Sequence, residues 1–401
     1  MEITAELRTL AKFTAGPLPV ISVYLNTQWR DPHQRARTTT FFARHLHQAQ
    51  ALEPEPEAAR QSLGRDLERL THWGQQYLQS PGERTMPGVA LFACAGADLW
   101  VEFPSPLPFE DEWTVADRPV LRQLARLDED YTNALLVLVD SRTARIYEVV
   151  LGGFLAETDV ASEVPGRHKQ GGWAQARYQR HVQEHIDRHY KEVAAYVASY
   201  MASHPHTQLI LSGHDDIVAG FRHWLATPVQ AQVLETVALD MHDDRHRLLE
   251  VAQDVLQRHE REEELATAQL LVNRAGHGGL AVLGLQAVLD AVNTARVHKL
   301  VMQKDGHYPG WRCRTCGALA AETHLACVQC GGEVTTVDLG EAMVQAVLQA
   351  DGLVELITPD PRLAAYEGVG ALLRYQCRGA GLFRVAAPWC ATAVPNSAAM
   401  G

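Results

Sequence analysis

The sequence predicts an α/β protein of three domains, and three observations carry that expectation. Apolar runs of strand length alternate with longer stretches of helical spacing along the whole chain, the pattern of sheets covered by helices. The 401 residues are more than one core usually organises, at roughly 100–200 residues per domain. A composition of 46% hydrophobic and 21% charged residues is that of a folded chain and excludes wholesale disorder.

In the first third, Pro17-Leu-Pro-Val-Ile-Ser-Val-Tyr-Leu reads as a strand entered through a proline turn, and residues 36–52 have helical spacing. Glu53-Pro-Glu-Pro-Glu is a charged connector. A helix over 58–78 and a strand at Val89-Ala-Leu-Phe-Ala-Cys follow, then residues 103–112, with Pro104, Pro106 and Pro108, read as a loop. The middle third opens on Ala134-Leu-Leu-Val-Leu-Val-Asp140, a run suited to a strand buried on both faces. Arg145-Ile-Tyr-Glu-Val-Val is its neighbour, and Gln208-Leu-Ile-Leu-Ser-Gly and Val233-Leu-Glu-Thr-Val-Ala-Leu are further strands. Between them lies a helix over 174–201, whose apolar positions Tyr178, Val182, Ile186, Val193, Val197 and Met201 step by four or seven. The last third begins with a charged helix over 245–272, where Glu260, Glu262, Glu263 and Glu264 read as a solvated face. Helices over 286–293 and 343–348 and a strand at Lys299-Leu-Val-Met complete it. The expected domains are 1–129, 130–250 and 251–387, with a tail at 388–401.

The formal charge is −12, which as a bare total argues against a nucleic-acid partner. That total is an average, with acid concentrated in segments such as 53–57 and 260–264. The N-terminus lacks the basic and apolar regions of a signal peptide, and no stretch approaches eighteen uninterrupted apolar residues. A soluble, cytoplasmic protein with no membrane partner is expected.

Of seven cysteines, four form two closely spaced pairs, Cys313-Arg-Thr-Cys316 and Cys327-Val-Gln-Cys330. Such pairs wrap one tetrahedral Zn²⁺ on two tight knuckles, and Gly317 and Gly331-Gly332 directly after them supply the turns. Four thiolates close the coordination sphere, so the expected cofactor is a single structural zinc in a ribbon spanning about 311–334. Cys94, Cys377 and Cys390 are bystanders in a reduced compartment.

A second signal is Arg167-His-Lys-Gln-Gly-Gly-Trp-Ala-Gln-Ala-Arg-Tyr-Gln-Arg180. Between Glu163 and Glu184 it carries four basic residues, Arg167, Lys169, Arg177 and Arg180, and no acid. The adjacent Gly171 and Gly172 stand just before the long helix, whose N-terminal amides favour anions. Taken alone, the stretch is also what a flexible loop feeding a solvated helix looks like. His181, His185 and His189 recur every four residues, so they share a helix face and raise a third reading, a metal-dependent hydrolase. Asp140-Ser141-Arg142 at a strand end reads as a turn, and Asp215-Asp216 and Asp243-Asp244 as loop or cap residues.

Lys169-Gln-Gly-Gly-Trp-Ala-Gln-Ala-Arg-Tyr-Gln-Arg resembles the Gly-Gly-Gln loop and following helix of the archaeal and eukaryotic class-1 peptide-chain release factors. More specifically, it resembles their bacterial relatives and the ribosome-quality-control peptidyl-tRNA hydrolases. Leu135-Leu-Val-Leu-Val-Asp-Ser-Arg-Thr-Ala-Arg-Ile-Tyr is similar to the start of that family's catalytic domain. Gly278-Gly-Leu-Ala-Val-Leu-Gly-Leu-Gln-Ala-Val-Leu-Asp-Ala-Val-Asn, the cysteine ribbon and Gly368-Val-Gly-Ala-Leu-Leu-Arg-Tyr are similar to its third domain. The resemblance implies a three-domain release-factor-like architecture of mixed-sheet α/β domains, with the zinc ribbon inserted in the third.

In activity it implies a codon-independent peptidyl-tRNA hydrolase of ribosome rescue or quality control, in contact with the peptidyl-transferase centre, ribosomal RNA and peptidyl-tRNA. Trp173 occupies the family's glutamine position and the nearest following glutamine is Gln175, so Gln175 is the expected water-positioning residue. Gly171 and Gly172 would shape the loop, with Arg167, Lys169, Trp173, Arg177 and Arg180 as RNA contacts. Neither Asn-Ile-Lys-Ser nor the tyrosine–cysteine–phenylalanine element that reads stop codons is present, which points away from a termination factor. The alternative is a non-catalytic stall-recognition factor of the same architecture. Nothing in the sequence names a GTPase partner.

Overall fold

The computed structural model describes residues 3–29, 32–79, 86–105, 107–130, 134–150, 153–161, 173–204, 207–276, 278–322 and 325–375. The N-terminal unit consists of α1 (Ile3–Lys12), β1 (Val20–Asn26), α2 (Pro32–Gln50), α3 (Glu57–Gln79), β2 (Gly88–Cys94), β3 (Leu99–Ser105), β4 (Glu112–Ala116) and α4 (Arg122–Asp130). Its antiparallel sheet has the order β3-β2-β1-β4. The period of two along β1 and β2 sorts the side chains cleanly. Ile21, Val23, Leu25, Val89 and Leu91 face Phe42, Leu67, Leu70 and Trp73 of α2 and α3, while Tyr24, Ala90 and Phe92 face the other way. The stretch expected as a loop over 103–112 is partly strand, because β3 continues to Ser105 and β4 begins at Glu112. Pro104 is tolerated there because β3 is an edge strand, where a missing N–H breaks no ladder.

The middle unit comprises β5 (Ala134–Val139), β6 (Thr143–Val150), β7 (Gly153–Ala161), α5 (Trp173–Ser203), β8 (Gln208–Ser212), α6 (Asp215–Arg222), α7 (Thr227–Gln230) and β9 (Val233–Val237). The sheet order is β7-β6-β5-β8-β9, antiparallel between β7, β6 and β5 and parallel from β5 through β8 to β9. This is the mixed sheet that the sequence predicts. Every residue of β5 is buried, as its unbroken apolar run requires. Leu135, Val137 and Val139 pack under α5 and α6, and Ala134, Leu136 and Leu138 pack on the opposite face against Leu248, Ala252 and Val255.

Those last three belong to α8 (Arg245–Gly276), which at 1.5 Å per residue is roughly 48 Å long. Its second half lies on the C-terminal unit through Ala268 and Leu271. That unit holds β10 (Ala281–Leu283), α9 (Leu285–Asn293), β11 (Val297–Gln303), β12 (Pro309–Cys313), β13 (Leu319–Ala320), β14 (Val334–Asp338), α10 (Leu339–Gln349), β15 (Leu353–Ile357), α11 (Pro361–Ala364) and β16 (Val369–Leu373). One sheet has the order β10-β16-β11-β15 and a small ribbon has the order β13-β12-β14. The glutamates of α8 are not all on a solvated face. Glu264 is buried and pairs with Lys304 and Arg261, and Glu260 also reaches Lys304. Burial alone would raise the Glu264 carboxyl, but the two cations and the hydrogen bonds around it hold it below the usual range. The reason is positional: this half of α8 crosses the end of β11, where Lys304 waits.

The N- and C-terminal units share one core, in which Leu7, Tyr24, Phe92, Leu121 and Leu124 meet Val288, Leu300, Leu339, Met343 and Val347. Polar contacts tie the same seam. Glu341 of α10 accepts the backbone N–H groups of Leu121 (2.6 Å) and Arg122 (3.0 Å), satisfying two orphan donors at the start of α4 from another part of the chain. Arg122 donates in return to the carbonyls of Lys304 (2.9 Å) and Gly306 (2.8 Å). Burial pushes the Glu341 carboxyl from an ordinary 4.5 up to about 7, the two amides oppose this, and Glu112 and Asp338 add to it. The folded chain therefore keeps a proton that the unfolded chain releases. Stability is expected to fall as pH rises from about 4.5 to about 7, by up to roughly 1.4 kcal/mol per unit from this group, and then to level off. Urea titrations across that range should show a flatter profile for Glu341→Gln; an unchanged profile would remove Glu341 as the source.

Candidate functional site

The loop singled out in the sequence falls between β7 and α5. Arg167, Lys169, Gly171 and Gly172 lie outside the described residues. Trp173, Gln175 and Arg177 lie in the first two turns of α5, whose backbone is helical from Trp173 onward. Arg180 follows, exposed, so positions 173, 177 and 180 recur at the spacing of one helix face. From Val182 onward α5 is anchored: Val182 is buried, and Tyr190, Val193, Val197 and Met201 form the stripe that packs on β5 and β8. The structure thus gives the loop a fixed exit, a long helix clamped on the central sheet.

The other flank of the loop is fixed by a charge cluster that sequence reasoning missed. Glu157 on β7 accepts hydrogen bonds from Arg145 Nη2 and the Tyr147 hydroxyl, both at 2.8 Å, and its second oxygen pairs with Arg245 at 2.9 Å. These contacts hold the Glu157 carboxyl below its usual range, while burial, with the bond to Glu157, pushes Tyr147 up to about 12. They join β6, β7 and the first turn of α8. No sequence signal marks them, because the partners come from separated segments.

The three histidines of α5 do not act as one face. His181 and His185 lie beside each other, Nε2 to Nε2 at 3.3 Å. His189 is fully buried, and burial lowers its pKa. The helix wraps enough over eight residues to turn the third ring into the core, where Tyr190 packs against Phe221. Asp140 is a turn residue, as expected: its side chain accepts the N–H groups of Arg142 (2.6 Å) and Thr143 (2.7 Å). Asp215 and Asp216 lie in the first turn of α6, and Asp244 accepts the Arg247 N–H at the start of α8.

The four cysteines Cys313, Cys316, Cys327 and Cys330 converge, with all sulfurs within 4.8 Å of one another. Cys313 and Cys330 are 3.5 Å apart and Cys316 and Cys327 3.6 Å, close to the edge of about 3.8 Å in a tetrahedron of Zn–S bonds near 2.3 Å. The donor set and its size therefore fit one metal ion. Backbone N–H groups of Thr315 and Cys316 point at Cys313 Sγ, and that of Gln329 at Cys327 Sγ, each at 3.4 Å. The Cys316 and Thr315 amides, Cys316 foremost, draw the Cys313 thiol down to about 6. Gly317 and Gly331 have φ of 75° and 73°, the left-handed geometry that the knuckles need. The ribbon is pinned to the core by Asn293, whose side chain bonds both the N–H and the C=O of Leu319 at 2.8 Å, and by the Arg312–Asp117 ion pair. Cys94 is buried away from this cluster, and Cys377 and Cys390 lie outside the described residues.

Residues 119–264 match a family model described as Bacterial archaeo-eukaryotic release factor family 10. Over those residues the chain is similar to that family. An uncharacterized protein of Bacillus subtilis (strain 168), YocB, is 27% identical over 141 residues, 34% of this chain and 51% of that protein. The chain thus spans about half the length of this curated relative. Among solved structures, an archaeal translation termination factor matches with 17% identity, coverage of 93% of this chain and 97% of that one, and a TM-score of 0.26. Archaeoglobus fulgidus Pelota matches at 16% identity, 73% and 80% coverage and a TM-score of 0.35. Dom34 of S. cerevisiae, a translation termination-like factor, gives 9%, 70% and 74%, and 0.40. The matched residues contain β5 to β9, α5 and the residues between β7 and α5. Among the described residues, no helix is long and apolar enough to cross a membrane.

Proposed function

We propose that this chain is a codon-independent peptidyl-tRNA hydrolase that acts on ribosomes in rescue or quality control in the bacterial cytoplasm. The observation that carries the reading is the position of the Gly171-Gly172 segment: inside the family match, at the mouth of the only long helix of that unit among the described residues. The loop enters the peptidyl-transferase centre, and its glycines let backbone approach ribosomal RNA. Gln175 positions a water against the ester that joins peptide to tRNA, and backbone amides and RNA groups stabilise the developing oxyanion. Arg167, Lys169, Arg177 and Arg180 contact phosphates, and Trp173 stacks on a base. The chain works as three units, 1–129, 130–250 and 251–387, with 388–401 as a tail. One Zn²⁺ held by Cys313, Cys316, Cys327 and Cys330 keeps the ribbon folded and takes no part in hydrolysis.

Ribosomes carrying labelled peptidyl-tRNA test the reading: purified protein is expected to free the peptide well above the rate without protein. Trp173 at the family's glutamine position favours a second reading, a non-catalytic stall-recognition factor, for which the same assay gives ribosome binding without release. Phosphate contact also has a measurable signature. Arg177→Gln with Arg180→Gln should weaken ribosome binding and reduce its log–log salt slope by about two. An unchanged slope would place these arginines away from RNA.

A further inference from the structure

We propose that His181 and His185 form a surface binding site for one divalent transition-metal ion, separate from the cysteine ribbon. The two residues stand at i and i+4 on α5, so their side chains lie one above the other on the helix. Their Nε2 atoms are 3.3 Å apart and the rings are perpendicular, at 88°. Two nitrogens at the usual Zn–N length of about 2.0–2.1 Å, held at a tetrahedral angle, are separated by about 3.3–3.4 Å. The separation of the two nitrogens is therefore that of a two-imidazole chelate. His181 is exposed, with 56% of its side chain accessible, so the entry path is open.

A carboxylate stands on the far side of the first ring: Glu184 Oε2 is 3.9 Å from His181 Nδ1. In the tautomer with its proton on Nδ1, on that side of the ring, Nε2 is free to ligate. Two imidazoles select zinc, nickel or copper over magnesium or calcium, which require oxygen ligands. The remaining coordination positions are open to water or to an anionic oxygen. The buried His189 takes no part. The competing explanation of the same distance is an N–H···N hydrogen bond between the rings, which binds nothing.

Titration calorimetry on full-length protein carrying one zinc per chain separates the two. Added Ni²⁺ is expected to bind at one further equivalent, with micromolar affinity in wild type and at least roughly tenfold weaker in His181→Gln and in His185→Gln. His246→Gln, an exposed histidine elsewhere, should leave it unchanged. Both rings lie on the solvent side of α5, and far-UV circular dichroism verifies that the variants fold. As a second readout, Ni²⁺ should raise the thermal midpoint of wild type but not of the two variants. Absence of a further equivalent, or binding that survives both substitutions, overturns the proposal.

Discussion

Cys327→Ser, or removal of the metal by a strong chelator, is expected to unfold the ribbon over 309–338 while the sheets of the N-terminal and middle units persist. The ribbon has little core of its own: Leu319 is its main buried apolar residue outside the cysteines, and β13 is two residues long. Four thiolates brought within 4.8 Å of one another are a net cost unless a cation neutralises them. In isolated zinc fingers the metal supplies about 10–16 kcal/mol, far more than the Asn293–Leu319 bonds and the Arg312–Asp117 pair can replace. Hydrogen exchange followed by mass spectrometry should show loss of protection over 309–338, reaching Leu339 through its bond to Tyr308. Thr315 and Gly332 add a check. A Cβ at Gly332 would sit 2.4 Å from Thr315 Oγ1, so Gly332→Ala should weaken metal retention. Protection that stays unchanged after the metal is removed would mean that the ribbon folds on its own packing.

Gln175→Ala is expected to lower the rate of peptide release about 100-fold, the scale on which misplacing a reacting water costs rate, with ribosome affinity near that of wild type. The two readouts together separate chemistry from binding, since a residue used only to hold RNA would move affinity first. Gln183→Ala is the matched control. It lies two turns further along the same helix, where its amide bonds Asp187 at 2.8 Å, and it should leave both quantities unchanged. Equal release by Gln175→Ala and wild type would remove Gln175 from the reaction. Loss of binding alongside release would reassign it to RNA contact.

The features legible in the sequence are those written locally. The unbroken run of β5 and the four-and-seven stepping of α5 gave strand and helix in their observed places, because burial on two faces and burial on one stripe leave different periods. The ribbon was legible for the same reason: the four cysteines and the turn glycines lie within a stretch of twenty residues, and Gly317 and Gly331 have the expected positive φ. What could not be read depends on distant partners. Glu341 caps α4 across 220 positions of sequence, and Glu157 is held by residues from β6 and α8. The burial of Glu264 follows from Lys304, forty positions on, and that of His189 from the wrap of α5 on the sheet. A period of four predicts a shared face over one turn, which His181 and His185 have. Over the second step, to His189, the accumulated drift of the helix turns the side chain elsewhere.

The most direct test is the rate of peptide release from ribosomes that differ only in the codon presented: a stop codon, a sense codon, or no codon in the decoding site. On the proposed function, release is expected at similar rates from all three, each well above the rate without protein. Release confined to the stop codon, or absent from all three despite ribosome binding, would contradict a codon-independent hydrolase.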